Sequence, residues 1–178
     1  MLIQTPHYKT FITRTIKLAM TCMVLTTGAG LLSRELTHTV ADDLSHLPPG
    51  TRWGFLYPFA LLHGHVFLTG VALPLALSGS LVLARMAGGT LVSSSTLHWG
   101  WTSLSFGVIS SLLLLLAKSQ MLLNSITSCA NHPPADCDPY ALSVSNWVSP
   151  LRPILYATAH GSLAVGSSII AVAIGQSL

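Results

Sequence analysis

Residues 55–83 read FLYPFALLHGHVFLTGVALPLALSGSLVL, an apolar run with no Asp, Glu, Lys or Arg in it. At roughly 1.5 Å of rise per residue, about 20 apolar residues cross the hydrocarbon core of a bilayer as a helix. This run is long enough with residues to spare. It does not alternate apolar and polar positions with period two, so a barrel strand is a poor reading. Three further stretches share its character, from about Phe11 to Leu32, about His98 to Leu123 and about Leu151 to Gly175. With the quoted run they predict an all-α integral membrane protein, a single domain in which four transmembrane helices form an up-down bundle. No fixed-period repeat and no low-complexity tract breaks this pattern.

The composition agrees. Of 178 residues, 51% are hydrophobic and 7% charged, against a soluble norm near ~25% charged, and the mean hydropathy is +0.64. Eight Lys and Arg plus five Asp and Glu cannot solvate the surface of a globular domain of this size. A soluble enzyme, a disordered chain and a nucleic-acid binder are excluded on that ground, whatever the pI near 9.0 suggests. The lipid bilayer is the expected partner. Lys9, Arg14 and Lys17 before the first apolar stretch have the look of a signal peptide; the expectation is an anchor that stays attached as the first helix.

The connections carry the polarity. Residues 34–54 hold Arg34, Glu35, His38, Asp42, Asp43, His46 and the turn Pro48-Pro49-Gly50, and residues 124–150 hold Cys129, Pro133, Pro134, Asp136, Cys137 and Asp138. Between them residues 85–97 form a short Gly/Ser linker. In an up-down bundle the two long loops share one face, and every acid lies there. The opposite face has Lys9, Arg14, Lys17 and Arg85 with no acid. Lys and Arg number four on each face, so the basic cluster before the first helix decides the orientation: N-terminus cytoplasmic, long loops periplasmic, in a bacterial inner membrane. Cys129 and Cys137 could bridge in that oxidising compartment or stand as two free thiols. Cys22, within the first helix, reads as a packing residue.

Ionisable residues inside a membrane are costly and mark function by default. His63 and His65 lie in the second segment and His160 in the fourth. His63 is eight residues past Phe55 and His160 nine past Leu151, so both imidazoles sit roughly 12–14 Å below the long-loop face. Equal depth on parallel helices lets two histidines reach one object between them. Residues i and i+2 point about 200° apart, so His63 and His65 cannot both ligate one centre, and which of them faces inward stays open. Gly70 shares a face with His63, and Ala164 and Ser167 share one with His160. Small residues there leave room for a planar group or for a close helix neighbour.

A structural zinc wants about four N, S or O ligands, and no carboxylate or cysteine lies at that depth. Haem b needs only two axial imidazoles, an apolar pocket and cations for its propionates. Arg34, Arg52, Lys118 and Arg152 all fall at the face nearest His63 and His160. The expectation is therefore a haem b site with His63 and His160 as metal ligands and His65, Arg34, Gly70, Lys118 and Arg152 around the cofactor. The same cations are also where snorkelling anchors belong, and a membrane histidine can serve as an interhelical hydrogen bond.

Arg34-Glu35-Leu36-Thr37, His63-Gly64-His65 with Gly70, and Ala159-His160-Gly161 with Gly166 together resemble a family of small bacterial four-helix membrane proteins of unknown function. That family is similar in an R-E-x-T element, an H-T-H-like helix and a later G-x-G-H-like helix, and the likeness spreads from about Gly28 to Gly175. Ser33 stands where an aromatic is usual, His38 where a Lys is usual, the second loop is longer, and Lys118 takes the place of a third-helix Arg, losing its bidentate fork. The resemblance implies four helices and a membrane location, and no activity. More distantly, Leu61-Leu62-His63-Gly64-His65 is similar to the haem-ligand helix of haem–copper oxidase subunit I, without the rest of an oxidase core.

Trp53, Trp99, Trp101 and Trp147 near the helix ends read as an interfacial belt rather than as stacking partners. Tyr57 and Tyr156, near His63 and His160, could orient an imidazole or belong to that belt, and Pro58 should kink the start of its helix. With no phosphate loop, no nucleophile–base–acid set and no paired carboxylates within the membrane, the sequence does not read as a hydrolase or ATPase. Three functions remain: haem b electron transfer in or beside a respiratory complex, a cofactor-free accessory subunit of a larger membrane complex, and, more weakly, a metal or proton carrier.

Overall fold

The structure, a computed structural model, describes residues 5–43, 63–130 and 151–178. Four helices fill these ranges: α1 Pro6–Asp43, α2 His63–Met86, α3 Ser94–Ala130 and α4 Leu151–Ser177. Each contains a span long and apolar enough to cross a membrane, in α1 over Pro6–Leu32 and in α3 over Ser94–Met121. The described residues contain no strand. The chain is an all-α, multi-pass membrane protein built as an up-down four-helix bundle. The start of the second segment, with Arg52, Trp53, Tyr57 and Pro58, lies outside the described residues, as do His46, His132, Cys137, Asp136, Asp138 and Trp147.

Two helices outrun their expected ends. α1 continues from Leu32 to Asp43 and α3 from Leu123 to Ala130, because no proline intervenes before Pro48 and Pro133. At 38 residues α1 is about 57 Å long against a hydrocarbon core of about 30 Å. α1 and α3 run in the same direction, so their polar ends project past the bilayer on the long-loop side.

Lipid solvation turns the usual pattern of burial inside out. Met20, Val24, Leu68, Leu83, Leu113 and Val172 are exposed, while Thr15, Ser78, Ser105, Ser111 and Ser119 are buried. Without a hydrophobic force between helices, close backbone approach at small residues carries the packing. The α3–α4 pair is the tightest instance. A Cβ built on Gly100 would lie 2.7 Å from Ile170 Cγ1, and one on Gly107 would lie 2.5 Å from the Leu163 backbone nitrogen. Gly166 faces the Leu104 backbone in the same way. Ser103 Oγ donates across the seam to the Ser162 carbonyl at 2.9 Å.

The short linker closes the opposite end. Gly88, at φ 95°, takes the left-handed conformation past the end of α2. The Val92 amide donates to the Tyr8 hydroxyl at 2.9 Å, tying the linker to α1, and the Thr90 amide donates to the Ser177 carbonyl at 2.6 Å, tying it to α4. Ser93 caps α3 by accepting from the Thr96 amide at 3.1 Å.

α2 is interrupted by a π turn over Leu68–Ala72. Pro74 has no N–H to give the Gly70 carbonyl, and its ring crowds that carbonyl in an α-helix. Widening the turn relieves the clash, and the Leu73 amide reaches back to the Leu68 carbonyl instead. Such turns are frequent at functional sites.

Candidate functional site

The H-x-H pair of α2 addresses two different neighbours. His63 lies on the stripe that carries Val66 and Gly70 and meets α1, where a Cβ on Gly30 would sit 3.8 Å from the His63 Cβ. His65, about 200° around the helix, turns to α4. Its ring centre is 5.8 Å from that of His160, with the planes 55° apart. The structure therefore brings together His65 and His160, and it sets His63 against α1.

His160 is oriented by its own helix. Its Nδ1 is 3.0 Å from the Tyr156 carbonyl, and since a carbonyl only accepts, Nδ1 carries the proton and Nε2 keeps its lone pair. The Tyr156 ring also stacks on the imidazole, 6.0 Å between centres at 25°. A histidine with Nδ1–H bound to a backbone carbonyl and Nε2 open is the form that ligates metals. His65 is half-buried and its Nε2 is buried with no hydrogen-bond partner among the described residues. Thr69 gives its hydroxyl proton to the His65 carbonyl at 2.8 Å and leaves the ring alone.

The surroundings divide into tight and open. Gly70 is buried and closely covered, since a Cβ there would lie 2.6 Å from Cys22 Sγ; its role is the approach of α2 to α1 inside the π turn. Gly64 and Gly161, each adjacent in sequence to one of the paired histidines, have nothing within 4 Å of a built Cβ. Open space therefore adjoins the backbone at both residues.

Lys118 and Arg152 are both half-buried and lie within Coulombic reach of one another. Arg152 is eight residues, about 12 Å, above His160 towards the long-loop end. Arg34 is exposed on α1, about 6 Å beyond Gly30, where α1 meets His63. Two cations placed side by side repel and suit an anion between them.

Among the described residues no three His, Cys, Asp or Glu side chains converge where they could hold a metal ion. The sequence signals missed two features of the molecule: the π turn, for which Pro74 after Gly70 was the available sign, and Trp101, whose ring stacks under Arg14 at 5.3 Å in addition to marking a helix end. No family model, no curated protein and no solved structure matches the chain.

Proposed function

We propose that the chain is a haem b protein of the bacterial inner membrane, a one-electron carrier in or beside a respiratory complex, in which His65 and His160 would hold the haem. The observation that carries this reading is the pair itself: His160 is held with Nε2 open, and His65 faces it with an unpartnered buried Nε2. The two ring centres lie 5.8 Å apart with their planes 55° from one another, and these are the residues that would hold the haem. Gly64 and Gly161 put no side chain beside the pair, and Lys118, Arg152 and Arg34 are the cations that would neutralise propionates. Haem would supply reversible one-electron chemistry. The protein's part is to fix the His160 tautomer through the Tyr156 carbonyl, to keep the ligands in an apolar layer and to neutralise the propionates.

The absorption spectrum of the purified, dithionite-reduced protein tests this. A Soret and an α-band are expected, lost in His65→Ala and in His160→Ala and kept in His63→Ala. A wild-type protein purified from haem-replete cells without these bands overturns the assignment.

One observation favours a second reading. Gly64 and Gly161 each leave backbone open, with nothing within 4 Å of a built Cβ, and a helix of a larger membrane complex could pack against such exposed small residues. In a cofactor-free accessory subunit the two histidines would serve as an interhelical contact and the spectrum would be featureless. Under either reading the N-terminus is cytoplasmic, supported by Lys9, Arg14, Lys17 and Arg85 at an end without acids. The R-E-x-T, H-x-H-x4-G and A-H-G elements support membership of the small four-helix membrane family.

A further inference from the structure

At the end of the bundle where α1 and α3 begin, far from the histidine pair, a cavity of about 240 Å³ lies between these two helices, lined among others by His7, Thr10, Arg14, Ser94, His98 and Trp101. It presents donors and no acid. His7 Nε2 and Trp101 Nε1 are buried with no hydrogen-bond partner among the described residues. An indole N–H can only donate, and no described residue gives it an acceptor there. The Arg14 guanidinium is held 5.3 Å above the Trp101 ring, a stacking that fixes its plane and leaves its N–H groups free to take an oxyanion. Both α1 and α3 start at this end with no acidic residue in the first turn, so two positive helix termini add to the field.

The cavity does not stand alone. A groove of about 370 Å³ shares Arg14 and Trp101 with it and continues towards the bilayer centre past Leu18, Leu25, Ile109 and Leu112. From Arg14 to Leu25 the groove follows α1 for about 16 Å, half of the roughly 30 Å hydrocarbon core. A polar, cationic head pocket joined to an apolar groove one leaflet deep matches one class of molecule. We propose that the α1–α3 cleft binds an anionic phospholipid, its phosphate on Arg14, Trp101 and the neighbouring histidines, and one acyl chain along the groove. Lys9 and Lys17 on the same end favour a net-anionic headgroup over a zwitterionic one. A free phosphate would satisfy the head pocket alone and leave the groove without a role.

The test is native mass spectrometry of the full chain in mild detergent, titrated with phosphatidylglycerol or phosphatidylcholine, with inorganic phosphate in large excess as competitor. One phosphatidylglycerol should bind at least about tenfold more tightly than phosphatidylcholine, because both carry the phosphate but the choline cation is repelled by Lys9, Arg14 and Lys17. Arg14→Gln should erase most of this preference and Arg14→Lys should keep most of it. Ile109→Trp, which plugs the groove, should weaken both lipids. Equal binding of the two lipids overturns the proposal, as does a preference that survives Arg14→Gln undiminished. Full displacement by inorganic phosphate together with an inert Ile109→Trp assigns the pocket to free phosphate and also overturns it. Helical circular dichroism of each variant confirms that a loss of binding is not a loss of fold.

Discussion

A single backbone carbonyl decides what His160 can do. Tyr156 lies one turn before it, and its carbonyl accepts the Nδ1 proton at 3.0 Å, so which ring nitrogen keeps its lone pair is set by helix geometry and not by the identity of residue 156. Tyr156→Leu should accordingly keep any haem band of the reduced protein, with at most a small shift from losing the stacked ring; a band that vanishes in this variant would show that the phenol, not the carbonyl, holds the imidazole. Gly70 illustrates the opposite case, a position where the side chain is everything. Its absent Cβ is what lets Cys22 Sγ approach within 2.6 Å of that point. Gly70→Ala should destabilise the protein by about 1–3 kcal/mol, the range for an overpacked contact, measured by thermal unfolding in detergent. Cys22→Ala should recover only part of this, because the Cys22 Cβ itself lies 2.8 Å away and remains. The H-x-H spacing made legible that His63 and His65 diverge by about 200°. Which one meets α4 was not legible, since that depends on the phase of α2, and the π turn over Leu68–Ala72 alters that phase.

At the scale of elements, α2 is the helix whose geometry matters most to the site. The π turn over Leu68–Ala72 amounts to one residue inserted into an α-helix, and it sets the rotation of the His63–Phe67 turn relative to Leu73–Met86. Pro74→Ala alone lets the widened turn tighten and rotates His65 away from His160, with loss of the reduced α-band expected. Deleting Ala72 in the same background removes the inserted residue, returns His65 to its original face and should restore the band. If Pro74→Ala leaves the spectrum unchanged, the π turn is not what aims His65. The α3–α4 seam makes a second demand on its elements. A Cβ on Gly166 would meet the Leu104 Cα at 2.8 Å and the Gly100 carbonyl oxygen at 2.9 Å, backbone atoms that cannot rotate aside. Gly166→Leu should therefore cost about 3 kcal/mol or more, while Gly175→Ala, with nothing within 4 Å, should gain about 0.5–1 kcal/mol from helix propensity. The four apolar spans were legible because about 20 apolar residues in sequence admit few other readings. The far ends of α1 and α3 were not, because a polar helical extension and a polar loop share the same composition until a proline stops one of them.

The whole molecule is polarised along the bundle axis. Among the described residues the acids are Glu35, Asp42 and Asp43 at the C-terminal end of α1, whereas Lys9, Arg14, Lys17 and Arg85 stand at the other end with no acid beside them; Asp136 and Asp138 follow α3 in the sequence. With four Lys and Arg at each end, the overall count gives the insertion machinery no preference, and orientation rests on where those charges fall. Three of the four at the α1–α3 starting end precede or enter the first span, and the first helix usually dominates the choice of orientation. Acids contribute little to that choice, so the asymmetry in Asp and Glu is a consequence of how the loops are built and not its cause. Replacing Lys9, Arg14 and Lys17 by Gln removes the bias while leaving Arg34, Arg52, Lys118 and Arg152 in place, and the molecule should then insert in mixed or inverted orientation. Labelling of a cysteine introduced at Asp42 with a membrane-impermeant thiol reagent, in a background with the native cysteines replaced, reads the outcome in intact cells. The parent should be labelled from outside and the triple variant much less so. Equal labelling in both would mean that the arginines flanking the later helices set the orientation, and the N-terminus would no longer identify the cytoplasmic face.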